Sequence, residues 1–333
     1  MNKKNNKKFT FNHSTYLIAE AGINHNGDME IAKKMIESAA VSGANGIKFQ
    51  TIIPDELFSK KINSELYELS KDWILNKKNH LELQRHCKKN NIDFFSTPFG
   101  IKSARLLQEI NVPIIKIASG EITNHDLIKY LCKMKIPMLV STGMTTISEI
   151  AEVVELIKQY NCPFTLLHCV SSYPTLAKDA NLSTIQYLKN TFDVPVGFSD
   201  HTTGIEVSLA AVALGASVIE KHFTLDKNMP GPDQKLSLNP SEFLELSEKT
   251  RLIEKALGTP RSTIIKSEIN FRDNMRKSIG VKSDILPGTS LKRSMISLFR
   301  PGTGISPNMM DNIIGRTVKK PIKAGTLLSW NDF

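Results

Sequence analysis

Lys48 and Lys116 stand near the ends of two short apolar runs, and Thr97, Ser119, Ser141 and Ser199 stand near the ends of others. Two ammonium groups with several hydroxyls would supply positive charge and directed donors to an anion bearing phosphate and carboxylate. His201 and His222 close two further runs that are consecutive in the chain, with Glu20 at the end of the first run. Their imidazoles could share one divalent cation, and two protein ligands would leave positions open for water and substrate, as a catalytic metal needs. Each residue alone has a plainer reading, because a strand-end lysine or histidine also serves as a structural hydrogen-bonding group. His168, further inside its run, reads as structural, and His25 fits a loop turn as readily as a substrate contact. The joint placement is what points to a site.

For these groups to meet, the runs that carry them must lie side by side. Eight can be counted: Tyr16–Gly22, Gly46–Thr51, Asp93–Pro98, Ile114–Ser119, Met138–Gly143, Phe164–Val170, Val194–Asp200 and Val218–Thr224. They are rich in Ile, Val, Leu and Phe, as strands covered on both faces are. Helical patterns separate them. Thr146 and Glu149 make a capping-box pair ahead of Ile150, Val154 and Ile157 at helical spacing. Asn239-Pro240-Ser241-Glu242 opens a helix with Phe243, Leu246, Ile253 and Leu257 along one face and Gly258 as its stop. Eight strands alternating with helices predict an α/β fold, a (β/α)8 TIM barrel over residues 1–258, whose reactive groups project from the carboxyl ends of the strands. Residues 259–275 are polar and break the rhythm, as a linker does. In 276–333 an I-x-x-G-T-x-L pattern occurs twice, at Ile285–Leu291 and Ile322–Leu328, which suggests a compact module with an internal near-repeat. Such a module is small for an independent core.

Composition narrows the function classes. The chain has 333 residues, 41% hydrophobic and 23% charged, which is ordinary for a globular protein. No apolar run approaches the roughly 20 residues of a membrane span, so no membrane partner is expected. The basic stretch at the N-terminus lacks a following apolar segment and reads as a solvated tail, not a signal peptide. Cys87, Cys132, Cys162 and Cys169 are scattered without a C-x-x-C pair, which suits reduced thiols and a cytoplasmic location. The net charge of +10 comes partly from dispersed lysine doublets such as Lys60-Lys61 and Lys88-Lys89. That pattern fits a solvated surface better than a nucleic-acid groove, and it also suits small anionic substrates.

The same stretches, read in order, resemble the sialic acid synthases, the nonulosonic-acid synthase family. They are EAGINHNG (Glu20–Gly27), KFQT (Lys48–Thr51), STPF (Ser96–Phe99), KIASGEITN (Lys116–Asn124), STGM (Ser141–Met144), YPT (Tyr173–Thr175), GFSDHT (Gly197–Thr202), EKHFT (Glu220–Thr224), GPD (Gly231–Asp233) and RPGTGIS (Arg300–Ser306). The module at 276–333 is similar to the family's antifreeze-like, or SAF, domain. The resemblance implies that Lys48, Thr97, Lys116, Ser119, Ser141 and Ser199 hold phosphoenolpyruvate. It also implies that His201 and His222 bind a divalent metal, usually Mn2+, and that Glu20 positions or deprotonates a water. Gln50, Glu121, Tyr173 and Asp233 would contact the sugar, and Ser171 would face it. Arg300 would reach the sugar from a partner subunit, because the family forms domain-swapped homodimers.

The reaction so implied condenses phosphoenolpyruvate with N-acetylmannosamine, releasing phosphate and giving N-acetylneuraminate. Some sialic acid synthases carry Asn where this chain has Ser171, and Lys116–Asn124 also resembles legionaminic acid synthases. The alternative acceptor is therefore 2,4-diacetamido-2,4,6-trideoxymannose. Pseudaminic acid synthases fit less well, since they tend to replace the Gly of SGE and lack the RPG-x-G stretch. Two other classes compete. A Schiff-base aldolase could use Lys116 as nucleophile, but it has no use for the histidine pair or the second lysine. A basic nucleic-acid-binding scaffold would leave the strand-end pattern unexplained.

Overall fold

A computed structural model describes residues 14–333 of the chain; the basic N-terminal stretch expected to be a tail falls almost wholly outside the described residues. Strands β1 (Tyr16–Gly22), β2 (Gly46–Thr51), β3 (Asp93–Pro98), β4 (Ile115–Ile117), β5 (Met138–Ser141), β6 (Phe164–Cys169), β7 (Val196–Asp200) and β8 (Val218–His222) form a closed barrel in chain order. Every pair is parallel, and β8 returns to β1 through the register Tyr16↔Val218 to Glu20↔His222. Helix α1 (Met29–Val41) follows β1, whereas α2 (Pro54–Leu57), α3 (Ser64–Ser70) and α4 (Lys77–Lys89) all follow β2. One helix follows each later strand: α5 (Ile101–Glu109), α6 (His125–Met134), α7 (Ile147–Gln159), α8 (Ser183–Phe192), α9 (Glu206–Ala213) and α10 (Pro240–Leu257). The expected (β/α)8 barrel is the observed one. No helix among the described residues is long and apolar enough to cross a membrane.

The helix ends follow the local chemistry. At α7, Thr146 N donates to Glu149 Oε2 at 2.7 Å and Glu149 N donates to Thr146 Oγ1 at 3.3 Å. At α10, Asn239 and Glu242 exchange the same pair of bonds at 2.9 and 3.0 Å, with Pro240 in the first turn and Gly258 ending the helix at φ +50°. Phe243 and Leu246 are fully buried there, but Leu257, expected on the same face, is 55% exposed. The last turn of α10 is therefore only partly covered.

Alternation along the strands decides what faces the barrel interior. Ile18, Phe95, Ile114, Leu139, Leu167 and Val218 form one buried apolar cluster, to which each contributing strand or strand entry gives one side chain. Two residues further along the same segments stand Glu20, Thr97, Lys116, Ser141, Cys169 and Glu220, all lining one cavity. The apolar layer lies directly beneath the polar floor of that cavity, and polarity switches within a single step of the strand period. The opposite strand faces join the larger core beneath the helices, with Leu17, Ile47, Phe94 and Ile219 among its members.

The chain divides into two compact units, one ending at Gly258 and one over Thr259–Phe333. The second begins with the polar segment and includes helix α11 (Lys266–Met275) within it. Strands β9 (Ser278–Val281) and β10 (Ile296–Phe299) then pair antiparallel, and a short helix α12 (Met310–Ile313) follows. The near-repeat has a structural meaning. Ile285 and Ile322 exchange backbone bonds at 2.8 and 2.9 Å, and Gly288 and Gly325 take matching left-handed turns at φ +82° and +81°. Leu291 and Leu328 are both buried in this unit's own apolar cluster. The two copies therefore run as paired arms around a common core.

Candidate active site

A cavity of about 440 Å³ opens at the carboxyl end of the barrel strands. On its floor, Lys48 Nζ lies 2.8 Å from Glu20 Oε2 and 3.7 Å from Glu220 Oε2, and it donates to Thr97 Oγ1 at 3.0 Å. Lys116 Nζ donates to Ser141 Oγ at 2.6 Å and to the Ile117 carbonyl at 3.1 Å, and stands 4.0 Å from Glu220 Oε1. Ser199 Oγ donates to the same Glu220 oxygen at 2.9 Å. Two ammonium groups and two carboxylates thus share a site where each residue is 5% exposed or less.

The two acids differ in their surroundings. Burial raises the Glu20 carboxyl to about 7; the Lys48 ammonium opposes the rise and the Glu220 charge adds to it. Burial also pushes Glu220 upward, but Lys116 and Lys48 together overcome it and hold Glu220 at about 2. Glu220 is therefore the fixed counter-ion between the lysines, and Glu20 is the acid able to change its proton near neutrality. Burial lowers Lys116 despite Glu220, whereas Glu20 and Glu220 outweigh burial at Lys48 and raise it. An incoming phosphate or carboxylate would compete with these acids for both ammonium groups.

His201 and His222 face each other across the mouth of β7 and β8 with ring centroids 5.4 Å apart. His201 Nδ1 is 2.8 Å from the Val170 carbonyl, which accepts its proton, so that in the neutral ring Nε2 carries the lone pair. His222 Nδ1 is buried without a hydrogen-bond partner, 3.8 Å from Asp233 Oδ2. Burial first, and His201 next, hold the His222 imidazole neutral. Burial lowers the His201 imidazole, but Cys169 and the Val170 carbonyl outweigh it and raise its pKa, so a cation would displace a proton there. With that proton gone, the two imidazoles and the orphaned buried nitrogen of His222 are a donor set that suits a first-row divalent cation. Among the described residues no group of three or more His, Cys, Asp or Glu side chains is placed to hold a metal. The pair fits a site completed by water and substrate.

Of the other residues singled out from the sequence, Gln50, Ser119, Ser171, Tyr173 and Asp233 also line the cavity. Gln50 Nε2 reaches Glu20 Oε1 at 3.5 Å, and the Tyr173 ring lies 4.2 Å from that of His201. Glu121 is not among the lining residues; it accepts from Asn124 Nδ2 at 2.7 Å. Arg300 belongs to the second unit, where its Nε donates to the Met275 carbonyl at 3.0 Å. His168 faces away from the cavity floor toward the Ala180 carbonyl at 2.7 Å, and His25 Nδ1 accepts from Gly27 N at 3.0 Å, closing a loop turn. Gly143 permits a close approach, since a Cβ there would stand 2.4 Å from Ser171 Oγ and 2.8 Å from Ser119 Oγ.

Glu220 and Cys169 are the floor residues to which sequence reasoning gave no role. The signal was present, because Glu220 precedes His222 by two residues and must share its face. The neighbouring Asp200 and Lys221 have the opposite parity. They form a buried ion pair at 2.8 Å on the outer side of the barrel, supported by Ser208 Oγ at 2.5 Å, and they hold the strand ends in place.

The profile of the NeuB family matches residues 35–262, and that of the SAF domain matches residues 276–333. An uncharacterized protein of Methanocaldococcus jannaschii is 44% identical over 96% of this chain and 94% of its own length. The N,N'-diacetyllegionaminic acid synthase of Campylobacter jejuni is 43% identical over 94% of this chain and 98% of its own. Among solved structures, an N-acetylneuraminic acid (sialic acid) synthetase of Leptospira borgpetersenii is 43% identical with a TM-score of 0.75, covering 78% of this chain and 91% of that one.

Proposed function

This chain belongs to the NeuB family, whose named relatives are nonulosonic acid synthases, and we propose that it condenses phosphoenolpyruvate with an N-acylated mannosamine-type sugar, releasing phosphate. The observation that carries this reading is the floor cluster of Glu20, Lys48, Lys116 and Glu220 beside the facing imidazoles of His201 and His222. Lys48 and Lys116, with the Thr97, Ser119, Ser141 and Ser199 hydroxyls, would hold the phosphate and carboxylate and stabilise their charge as it shifts. C3 of phosphoenolpyruvate attacks the aldehyde carbon of the open-chain sugar, and positive charge develops at C2. Glu20 takes a proton from the water that adds to C2, and the tetrahedral intermediate loses phosphate by C–O cleavage. A divalent cation such as Mn2+ on His201 and His222 would supply Lewis acidity toward the acceptor's carbonyl oxygen. Arg300 would contact the sugar from the partner in a domain-swapped homodimer, and Glu121 would join the sugar contacts, as the family resemblance implies.

Two acceptors fit this reading. N-acetylmannosamine, the first expectation from sequence, is supported by the Leptospira protein, which is named for N-acetylneuraminic acid. The diacetamido trideoxy sugar is favoured here, because Ser171 is short where it lines the cavity and the Campylobacter relative is named for N,N'-diacetyllegionaminic acid. Phosphate release and mass spectrometry across a panel of hexosamines test both levels. The expected result is a nine-carbon acid with kcat/KM about tenfold higher for the diacetamido sugar, a ratio within reach of small differences in pocket contacts. Equal or higher kcat/KM for N-acetylmannosamine would restore the first expectation, and release from neither would end the reading.

Glu20 makes the activity depend on pH in a stated direction. Its carboxyl is held at about 7, and only the carboxylate can accept the proton of water. The kcat/KM profile should therefore rise with pH through an acid limb near 7. Glu20→Gln should remove that limb and lower the rate by about 10²- to 10⁴-fold. A limb that persists unchanged in the variant would assign the base elsewhere.

A further inference from the structure

The cavity has two kinds of wall. Its floor is polar and the β4–β8 side mostly so, with Ala118 and Met144 as its apolar members, while the side above β2 and β3 is apolar, built from Ile52, Leu57, Phe58, Trp73 and Phe99. We propose that Leu57, Phe58, Trp73 and Phe99 form a specificity wall that reads the end of the acceptor remote from the reacting carbon, and selects a deoxygenated, methyl-bearing end over a free hydroxymethyl group. This rests on the reaction proposed above and adds the residues that set its acceptor.

The wall belongs to the stretch between β2 and α4, where α2 and α3 interrupt the strand–helix rhythm. Leu57 ends α2, Phe58 follows it, and Trp73 closes a 3-10 turn over Lys71–Trp73. Phe99 sits just past the end of β3. The stretch is pinned at several points. The Glu56 carboxylate accepts from Lys102 N at 2.5 Å and Ser103 N at 2.9 Å, and so caps α5 from outside that helix. Tyr67 donates to Asp55 Oδ1 at 2.7 Å. Gly27, at φ +77°, lets the β1–α1 loop press on this stretch so closely that a Cβ there would stand 2.2 Å from the Asp72 carbonyl oxygen. The stretch that carries Leu57, Phe58 and Trp73 is thus held by contacts within this chain.

The anion cluster and the histidine pair hold the reacting carbons at the strand ends, so the rest of an extended acceptor must lie along the remaining walls. Leu57, Phe58 and Phe99 carry no hydrogen-bonding side-chain group and Trp73 only its indole N–H, so a hydroxyl laid against this wall gives up water for little in return. A methyl in the same place gains contact area. Discrimination of this kind is worth about 10- to 200-fold for one small group.

The test uses the full-length enzyme and two acceptors, 2,4-diacetamido-2,4,6-trideoxymannose and N-acetylmannosamine. Phe58→Ser and Trp73→Ser should each lower the ratio of kcat/KM for the deoxygenated sugar to that for N-acetylmannosamine by about tenfold or more. The KM for phosphoenolpyruvate should not move. Phe58→Tyr, which adds one hydroxyl at nearly constant volume, should narrow the ratio in the same direction and keeps the test open if a serine variant fails to fold. Parallel losses with both sugars, or an unmoved ratio in folded variants, would overturn the wall. A wild-type enzyme that releases phosphate with neither sugar overturns the proposed reaction instead.

Discussion

Removing divalent cations with a chelator should abolish turnover, and adding Mn2+ should restore it, whereas His201→Ala should stay inactive at every metal concentration. The expected loss is at least about 10³-fold, because Lewis-acid stabilisation of developing charge is worth several kcal/mol. His201 is suited to this role by its Val170 contact at 2.8 Å, which fixes the ring and leaves Nε2 free. The variant should keep its fold, since the imidazole makes one backbone bond and its other contacts, with Cys169 Sγ and the Tyr173 ring, are to residues that line the cavity. Metal content, measured on purified wild-type and variant protein, gives a readout that does not depend on turnover. Full activity in chelator, or equal metal in the variant, would remove the histidine pair from the assignment.

Lys116→Ala should cost about 10³-fold in kcat/KM for phosphoenolpyruvate, comparable to losing a preorganised oxyanion donor. It should also destabilise the apo protein. Glu220 would keep only Lys48, at 3.7 Å, as an ammonium partner, in a site where breaking a buried pair typically costs about 3–5 kcal/mol. Lys116→Ala combined with Glu220→Gln should recover much of the melting temperature and none of the activity. That split separates the structural role of the pair from the binding role of the lysine. The lowered pKa of Lys116 would equally suit a Schiff-base nucleophile, so borohydride treatment with pyruvate is the companion experiment. No covalent adduct is expected, and trapped pyruvate on Lys116 would turn the reaction toward an aldolase.

Much of the barrel was legible because its signals are local. Buried parallel strands need continuous apolar runs, and the Thr146–Glu149 and Asn239–Glu242 pairs cap helices through atoms only three residues apart. Strand alternation carries further than the runs themselves. Glu20, Lys48, Lys116, Ser199 and His222 could be placed at one end of one barrel before any contact was seen, and Glu220 follows from His222 by the same parity. The segment from Ile52 to Asn76 was opaque, since two short helices and a 3-10 turn there break the strand–helix rhythm that made the rest readable.

The sequence by itself determined the barrel, the end that carries the reactive groups, and their chemical types, because strand period and residue chemistry are properties of a few adjacent positions. Only the tertiary structure decided which groups touch. It set Glu220 between two lysines and Glu20 beside one, drove the two acids to opposite charge tendencies, and left Glu121 outside the cavity lining. It also brought Leu57, Phe58 and Trp73 to the rim beside Phe99. Burial and Coulomb interaction depend on distances between segments far apart in the chain, and closing the barrel is what sets those distances.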